Sequence, residues 1–217
     1  MHRTLVLSAA IAALCLGGGA FASGGIDRVN GSIHVADGEH AGDLSTVNGG
    51  IRIDAGASAA KVSTVNGGIE VGDNATVDAL ETVNGGIELG AGARVARTVE
   101  TVNGGIRLGK GADIAGRASN VNGRFELRAA HVGGGIGTVG GDIDIGADSR
   151  VEGGILVDEP HGWSWGKQRN PRIVIGPRAI VTGTLEFRRD VDLYVSSSAK
   201  IGEIKGATPH PFAGEQP

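Results

Sequence analysis

Five histidines lie beyond the first 22 residues, and imidazole is the side chain best suited to acid–base chemistry near neutral pH. A catalytic histidine must reach the proton that it removes, usually beside a nucleophile or an orienting carboxylate. None of the five stands in a recognisable catalytic context, and no serine-based motif is present. We therefore predict no catalytic residue, no metal site and no cofactor. The five are His34, His40, His131, His161 and His210.

The acidic residues suggest little further chemistry. Calcium-binding β-roll repeats read G-G-x-G-x-D, whereas "GGIGTV" at 134–139 has Val139 in place of the aspartate. A polysaccharide-acting enzyme would need a carboxylate or basic cluster on one face, and the pair Asp158 and Glu159 is the one cluster that the sequence suggests. We therefore expect that this protein is not an enzyme.

Residues 158–171, "DEPHGWSWGKQRNP", contain both tryptophans of the chain. Trp163 and Trp165 flank Ser164, so both rings would lie on one side of an extended segment. Aromatic rings beside polar donors can stack on sugars or anchor a protein partner. The candidate partner-binding residues are His161, Trp163, Trp165 and Arg169. The alternative is that the two rings only cover the body of the protein where the loop leaves it.

The elements that must position these side chains are indicated by a repeat. The hexamer "TVNGGI" or a close variant recurs with its Asn at intervals of 18 or 19 residues. We predict that Asn and Gly form a sharp corner that requires positive φ, and that the Asn amides stack as a hydrogen-bonded ladder. The ladder residues are Asn30, Asn48, Asn66, Asn84, Asn103 and Asn122.

A finer period of six predicts three short strands per repeat. Apolar residues recur at Val71, Val77, Val83 and Leu89. We expect the Val before each motif Asn to point inward, Val83 included. Three such hexads make one triangular coil of about 18 residues, and successive coils stack as parallel sheets. The predicted fold is all-β, a single-stranded parallel β-helix, or β-solenoid. The alternative is an antiparallel meander, since Asn-Gly is also a strong hairpin signal.

The residue after each motif Ile should form an outward column on this solenoid. Arg52 would then face Glu70, and Arg107 would lie between Glu88 and Glu126. Such neighbours stabilise a sheet modestly. A solvated charged face is the simpler interpretation of this column, and a binding stripe is the alternative.

The ends of the chain divide it into three parts. Residues 1–22 have an apolar run and an A-x-A site ending at Ala22, which predicts a cleaved signal peptide and a periplasmic or secreted location. Residues 23–206 form the solenoid domain with the inserted loop 158–171, and 207–217 are expected to be a flexible tail. Cleavage removes Arg3 and leaves a net charge of −5, which disfavours nucleic acid, and leaves no predicted membrane span.

Two C-terminal stretches carry a family resemblance. "IVIGPRAIVTGTLEF" (173–187) and "LYVSSSAKIGEI" (193–204) resemble the triangular parallel β-helix of the bactofilins, polymer-forming bacterial scaffold proteins, and exported bacterial β-strand-repeat proteins. Turns of 19 residues resemble the right-handed bactofilin type, which implies a right-handed helix. The same hexad resembles that of hexapeptide acyltransferases.

The expected function is an exported, non-enzymatic structural or self-assembling scaffold of the bacterial cell envelope. No capping helix is predicted at 23–29, so exposed strand edges predict end-to-end self-association. One alternative is a module that binds envelope glycan or protein through the tryptophan loop. The other is a hexapeptide-type acyltransferase or a polysaccharide-acting β-helix enzyme.

Overall fold

The computed structural model describes residues 25–160 and 169–217. The predicted signal peptide and residues 161–168 of the predicted loop lie outside these ranges. The described residues form 26 strands and no helix, and the strands wind into a parallel β-solenoid of about nine turns. Every strand pair is parallel, so the antiparallel meander is wrong and the β-solenoid is confirmed.

Each coil contributes strands to three faces, numbered here in the order in which the chain meets them. Face 2 is a ten-stranded sheet, and faces 1 and 3 together form a sixteen-stranded sheet. Face 1 holds β1 (Ile26–Asn30), β3 (Leu44–Asn48), β10 (Val99–Asn103), β13 (Ala118–Asn122), β16 (Ile136–Thr138), β19 (Ile155–Val157), β22 (Leu185–Phe187) and β25 (Ile204–Lys205). Face 2 holds β2 (Ile33–Val35), β4 (Ile51–Ile53), β6 (Ile69–Val71), β8 (Ile87–Leu89), β11 (Ile106–Leu108), β14 (Phe125–Leu127), β17 (Ile143–Ile145), β20 (Arg172–Ile175), β23 (Asp192–Ser196) and β26 (His210–Phe212). Face 3 holds β9 (Arg94–Val95), β12 (Asp113–Ile114), β15 (His131–Val132), β18 (Arg150–Val151), β21 (Ile180–Val181) and β24 (Lys200–Ile201). The long strands β5 (Ser58–Asn66) and β7 (Thr76–Asn84) bend from face 3 into face 1 and join them.

The register repeats from coil to coil without slipping. Asn30 pairs with Asn48 and Asn84 with Asn103, which are separations of 18 and 19 residues. Ile143 of β17 pairs with Ile173 of β20, so the coil that contains the insertion is longer and still returns to the same register. A fixed register is expected because a one-residue slip would turn every inward side chain outward.

The core is a column of apolar side chains inside the three faces. On face 2 both ends of each short strand point inward, as Ile87 and Leu89 do. On face 1 the inward residues stand four and two positions before the corner Asn, as Leu80 and Thr82 do in β7, and both are fully buried. The prediction that Val83 points inward is wrong, because Val83 is only partly buried and the chain turns outward before the corner at Asn84.

The Asn-Gly corner between faces 1 and 2 does not use positive φ in the central coils. None of the motif Asn residues has positive φ. A Cβ on Gly67 would lie 2.1 Å from the carbonyl oxygen of Gly49, so glycine is required there because successive backbones nearly touch. The left-handed corner is the next one, between faces 2 and 3. It is occupied by Gly38, Gly56, Asn74, Gly92, Gly111, Ala129, Asp148 and Arg178.

The last residues do not form the flexible tail that the sequence predicts after Gly206. His210–Phe212 form β26, which pairs with β23 at the end of face 2. Ser197 donates its backbone N–H to the Phe212 carbonyl at 2.9 Å. The solenoid therefore extends into a partial tenth coil.

Candidate functional site

The Asn residues of the repeat form a ladder along the first corner. In each step, Nδ2 of one Asn donates a hydrogen bond to Oδ1 of the Asn in the preceding coil, at 3.0–3.1 Å. Each central amide therefore makes one ladder bond as donor and one as acceptor, which uses half of its hydrogen-bonding capacity. The ladder includes Asn30, Asn48, Asn66, Asn84, Asn103 and Asn122, as the repeat predicts.

A second ladder lies inside the same corner. Thr82 Oγ1 donates to the Gly67 carbonyl at 3.0 Å, and Thr64 donates to Gly49 at 2.9 Å. The threonines at 46 and 101 bond in the same way. Because these hydroxyls are buried, the threonine column cannot face ice or any other external surface.

The outward column of face 2 borders a groove of about 770 Å³ that spans six coils. Gly50, Gly68, Gly86 and Gly105 lie along it, and the charged column forms one side. Arg52 pairs with Glu70 at 2.6 Å, and Arg107 pairs with Glu88 at 3.3 Å and Glu126 at 3.2 Å, as the spacing predicts. Hydrogen bonds from Arg128 and Arg107 hold the pKa of Glu126 below its usual value, although burial opposes this. The charges along this groove are largely paired with one another.

Three of the four described histidines contact side chains of neighbouring coils. His131 has Asp113 at 2.5 Å from Nδ1 and Glu152 at 3.6 Å from Nε2, so carboxylates flank both ring nitrogens. His34 lies 2.5 Å from Asp54 in the next coil. His40 Nδ1 lies 2.6 Å from Ser58 Oγ, but no carboxylate of the described residues orients this ring.

His210 stacks obliquely on Tyr194, with ring centroids 5.7 Å apart. Its ring therefore packs against a residue of the preceding face 2 strand, β23.

The exit of the inserted loop is tied to the coil below it. Arg169 Nη2 lies 3.0 Å from Asp142 Oδ2, and the backbone N–H of Arg172 donates to Asp142 Oδ1 at 2.9 Å. Burial opposes ionisation of Asp142, but these two hydrogen bonds and the charge of Arg124 outweigh it and lower the pKa. Arg169 thus anchors the loop. The other predicted loop residues, His161, Trp163 and Trp165, lie outside the described residues.

Two glutamates that are distant in sequence meet on face 1. Glu81 and Glu100 are register neighbours on β7 and β10. Lys61 pairs with Glu81 at 3.1 Å. Burial, reinforced by the charge of Glu81, raises the pKa of Glu100, although Arg117 and Lys61 oppose the shift. The separation of 19 residues between Glu81 and Glu100 could have revealed this pair. Sequence reasoning missed it because only the outward column of face 2 was compared from coil to coil.

Further along face 1 lies a pocket of about 610 Å³, called here the Arg117 pocket. Arg117, Glu186, Arg188 and Thr184 stand around a surface of glycines and partly exposed Leu156. Asp158 is nearly buried, 4% exposed, and lies 3.2 Å from Arg188. The acidic cluster expected at 158–159 therefore places one carboxylate in an internal ion pair beside this pocket.

Comparison with known proteins adds no identification. The chain matches no protein-family profile, no curated protein and no solved structure. In residues 25–160 and 169–217, no group of three or more His, Cys, Asp or Glu side chains is placed to hold a metal ion. Within the same ranges, no helix is long and apolar enough to cross a membrane.

Proposed function

We propose that this chain is an exported, non-enzymatic structural protein of the bacterial cell envelope that self-associates through the N-terminal end of its solenoid. The export step rests on residues 1–22, with cleavage after Ala22. The structural role is supported by the ladders and the continuous apolar core, which use the repeated residues for stability. The single observation that carries self-association is the contrast between the two ends.

The N-terminal end exposes an unpaired strand edge. β1 pairs on one side with β3, and no described strand covers its other side. Ile26 donates its N–H to the Asp43 carbonyl, on the side of β1 that pairs with β3. The alternate residues Asp27 and Val29 therefore direct their backbone groups to the open edge. Val29 is 68% exposed, and among the described residues it is the one large apolar side chain that is exposed to solvent. An open edge with an exposed apolar residue favours pairing with another strand.

The C-terminal end has the features that natural proteins use to block edge pairing. Its strands β24 and β25 have two residues each, and each contains a lysine. In β26 the carbonyl of Phe212 faces β23, so Pro209 and Pro211 are the positions that face outward. Proline has no N–H to donate at such an edge.

This contrast changes the form of the expected assembly. Head-to-tail stacking would have to join the open end to the blocked end. An isologous contact between two N-terminal ends avoids the prolines and closes on itself, which gives a dimer rather than an unlimited filament.

The test is sedimentation velocity of the purified chain over a wide concentration range. Wild type should pass from monomer to dimer as concentration rises. Val29→Pro removes the free edge N–H without altering a bond to β3, so it should remain a monomer. Val29→Thr keeps the N–H and should still dimerise. A wild type that is monomeric at every concentration, or a Val29→Pro variant that dimerises normally, would contradict the proposal.

A further inference from the structure

Arg117 is the residue that distinguishes the Arg117 pocket from the other charged surfaces of the solenoid. Its side chain is half-buried, and it forms no hydrogen bond or ion pair with another described residue. Its charge acts only at longer range on Glu100 and Asp158, and burial lowers its pKa. Guanidinium groups that lose water normally gain a carboxylate or carbonyl partner, because an unpaired buried charge is costly. An incoming anion would supply that partner.

The surface beneath Arg117 has no side chains where an anion would need room. A Cβ on Gly137 would lie 2.3 Å from Arg117 Nη2, so the guanidinium rests directly over that glycine. Gly154 has a φ of +82°, and a Cβ there would lie 2.2 Å from the Thr184 carbonyl oxygen. Stacking of the coils therefore keeps the surface bare, and the pocket does not depend on a mobile side chain to open.

The neighbours of Arg117 limit the charge of a ligand. Arg188 is already paired with Asp158 at 3.2 Å and with Glu186 at 2.7 Å. Among the described residues, Arg117 is thus the one unpaired cation that lines the pocket. Glu100 and Asp158 act on it at longer range, and Glu186 lines the same pocket. A dianion such as a phosphate ester would carry two negative charges, of which Arg117 could neutralise only one, and the nearby carboxylates would repel the other. A single carboxylate matches one guanidinium and can bind it through two parallel hydrogen bonds.

One of these carboxylates also limits the rest of the ligand. Glu186 is the carboxylate that lines the pocket, and an ionised carboxylate only accepts hydrogen bonds. It therefore favours a ligand that carries hydroxyl donors near its carboxylate. The volume of about 610 Å³ lies within the range of small-ligand pockets.

We propose that the Arg117 pocket binds a hydroxylated monocarboxylate of the sugar-acid class, with Arg117 pairing with the carboxylate and Glu186 accepting a hydrogen bond from its hydroxyls. The site is independent of the N-terminal edge, which lies several coils away on the solenoid. Self-association and sugar-acid binding can therefore fail separately.

Isothermal titration of the purified chain with D-glucuronate tests this inference. D-glucose has similar hydroxyls without the charge, hexanoate has the charge without hydroxyls, and glucose 6-phosphate has a dianion. Glucuronate should bind most tightly of the four. Arg117→Gln should weaken glucuronate binding by about 10- to 100-fold, the range for a hydrogen bond to a charged group.

Two further variants separate a site from a general charge effect. Gly137→Ala should also weaken binding, because its Cβ displaces the guanidinium tip while the flexible arginine moves aside and the fold is kept. Arg150→Gln removes an exposed arginine from face 3, where it pairs with Glu152, and should leave binding unchanged. No detectable glucuronate binding at millimolar concentration, equal losses for Arg117→Gln and Arg150→Gln, or tighter binding of glucose 6-phosphate would each overturn the inference.

Discussion

Truncation of Leu80 and of Val83 to alanine tests which side of face 1 points into the solenoid. The two residues lie three positions apart on β7. Leu80 is 0% exposed and pairs in register with Val62 below and Val99 above, which are also 0% exposed. Val83 is partly exposed and precedes the corner Asn84. A six-residue apolar period places Val83 in the core, whereas the structure places Leu80 and Thr82 there.

The expected magnitudes differ enough to separate these two arrangements. Leu80→Ala removes buried carbons and leaves a cavity between two rigid coils, so it should cost about 2–5 kcal/mol. Val83→Ala removes two methyl groups from a half-exposed site, and at about 0.8 kcal/mol per fully buried carbon it should cost about 1 kcal/mol or less. With a urea dependence near 2 kcal/mol/M, Leu80→Ala should lower the midpoint by roughly 1–2.5 M and Val83→Ala by under about 0.5 M.

Urea unfolding followed by far-UV circular dichroism measures both midpoints. The comparison requires similar slopes for the two variants, because an altered slope would mean that the amount of surface exposed on unfolding has changed. Equal midpoint shifts, or a larger shift for Val83→Ala, would refute the inward assignment of Leu80.

Two more predictions address the ladder and the glutamate pair. Asn84→Ala removes two ladder bonds and should cost about 1–3 kcal/mol, while Asn30→Ala removes one and should cost about half as much; equal urea midpoints would contradict this. The raised pKa of Glu100 means that its contribution to stability is greatest at low pH and is lost as pH rises through the folded-state pKa. Glu100→Gln should therefore raise the melting temperature relative to wild type at pH 7 and leave it nearly unchanged at pH 4, and a lower melting temperature at pH 7 would contradict the assignment.

The regular part of the fold could be predicted because one short motif reports the length of each coil. Every Asn of the motif occupies the same corner, so its spacing predicts the register that the structure shows between Asn30 and Asn48 and onward. The inward positions of face 1 could not be predicted by hydrophobicity alone. Thr82 is polar and Val83 is apolar, yet Thr82 is the buried one because its hydroxyl finds the Gly67 carbonyl inside the corner.

The Arg117 pocket could not be predicted because its parts belong to different coils. Arg117, Gly137 and Glu186 lie in three different coils, and their proximity can be predicted only if the register across the insertion is known. The sequence loses its period at residues 158–171, so a count from one end does not locate Glu186 relative to Arg117. The structure supplies the missing link, since Leu156 pairs with Glu186 across the lengthened coil.

The insertion occurs where the Asn ladder has already ended. Asn122 is the last ladder residue. The next coil has Gly140 at that corner, and glycine has no side-chain amide to extend the ladder. In the following coil the insertion falls between β19 of face 1 and β20 of face 2, at this same corner. Arginine–carboxylate pairs then join the coils on either side of it, Arg169 with Asp142 and Arg188 with Asp158. A ladder of amides needs an Asn in every coil, whereas an ion pair spans a gap of 30 residues between Asp158 and Arg188. Thus the corner between faces 1 and 2, where the Asn motif repeats in six coils, accommodates the insertion in a coil where arginine–carboxylate pairs replace the Asn ladder.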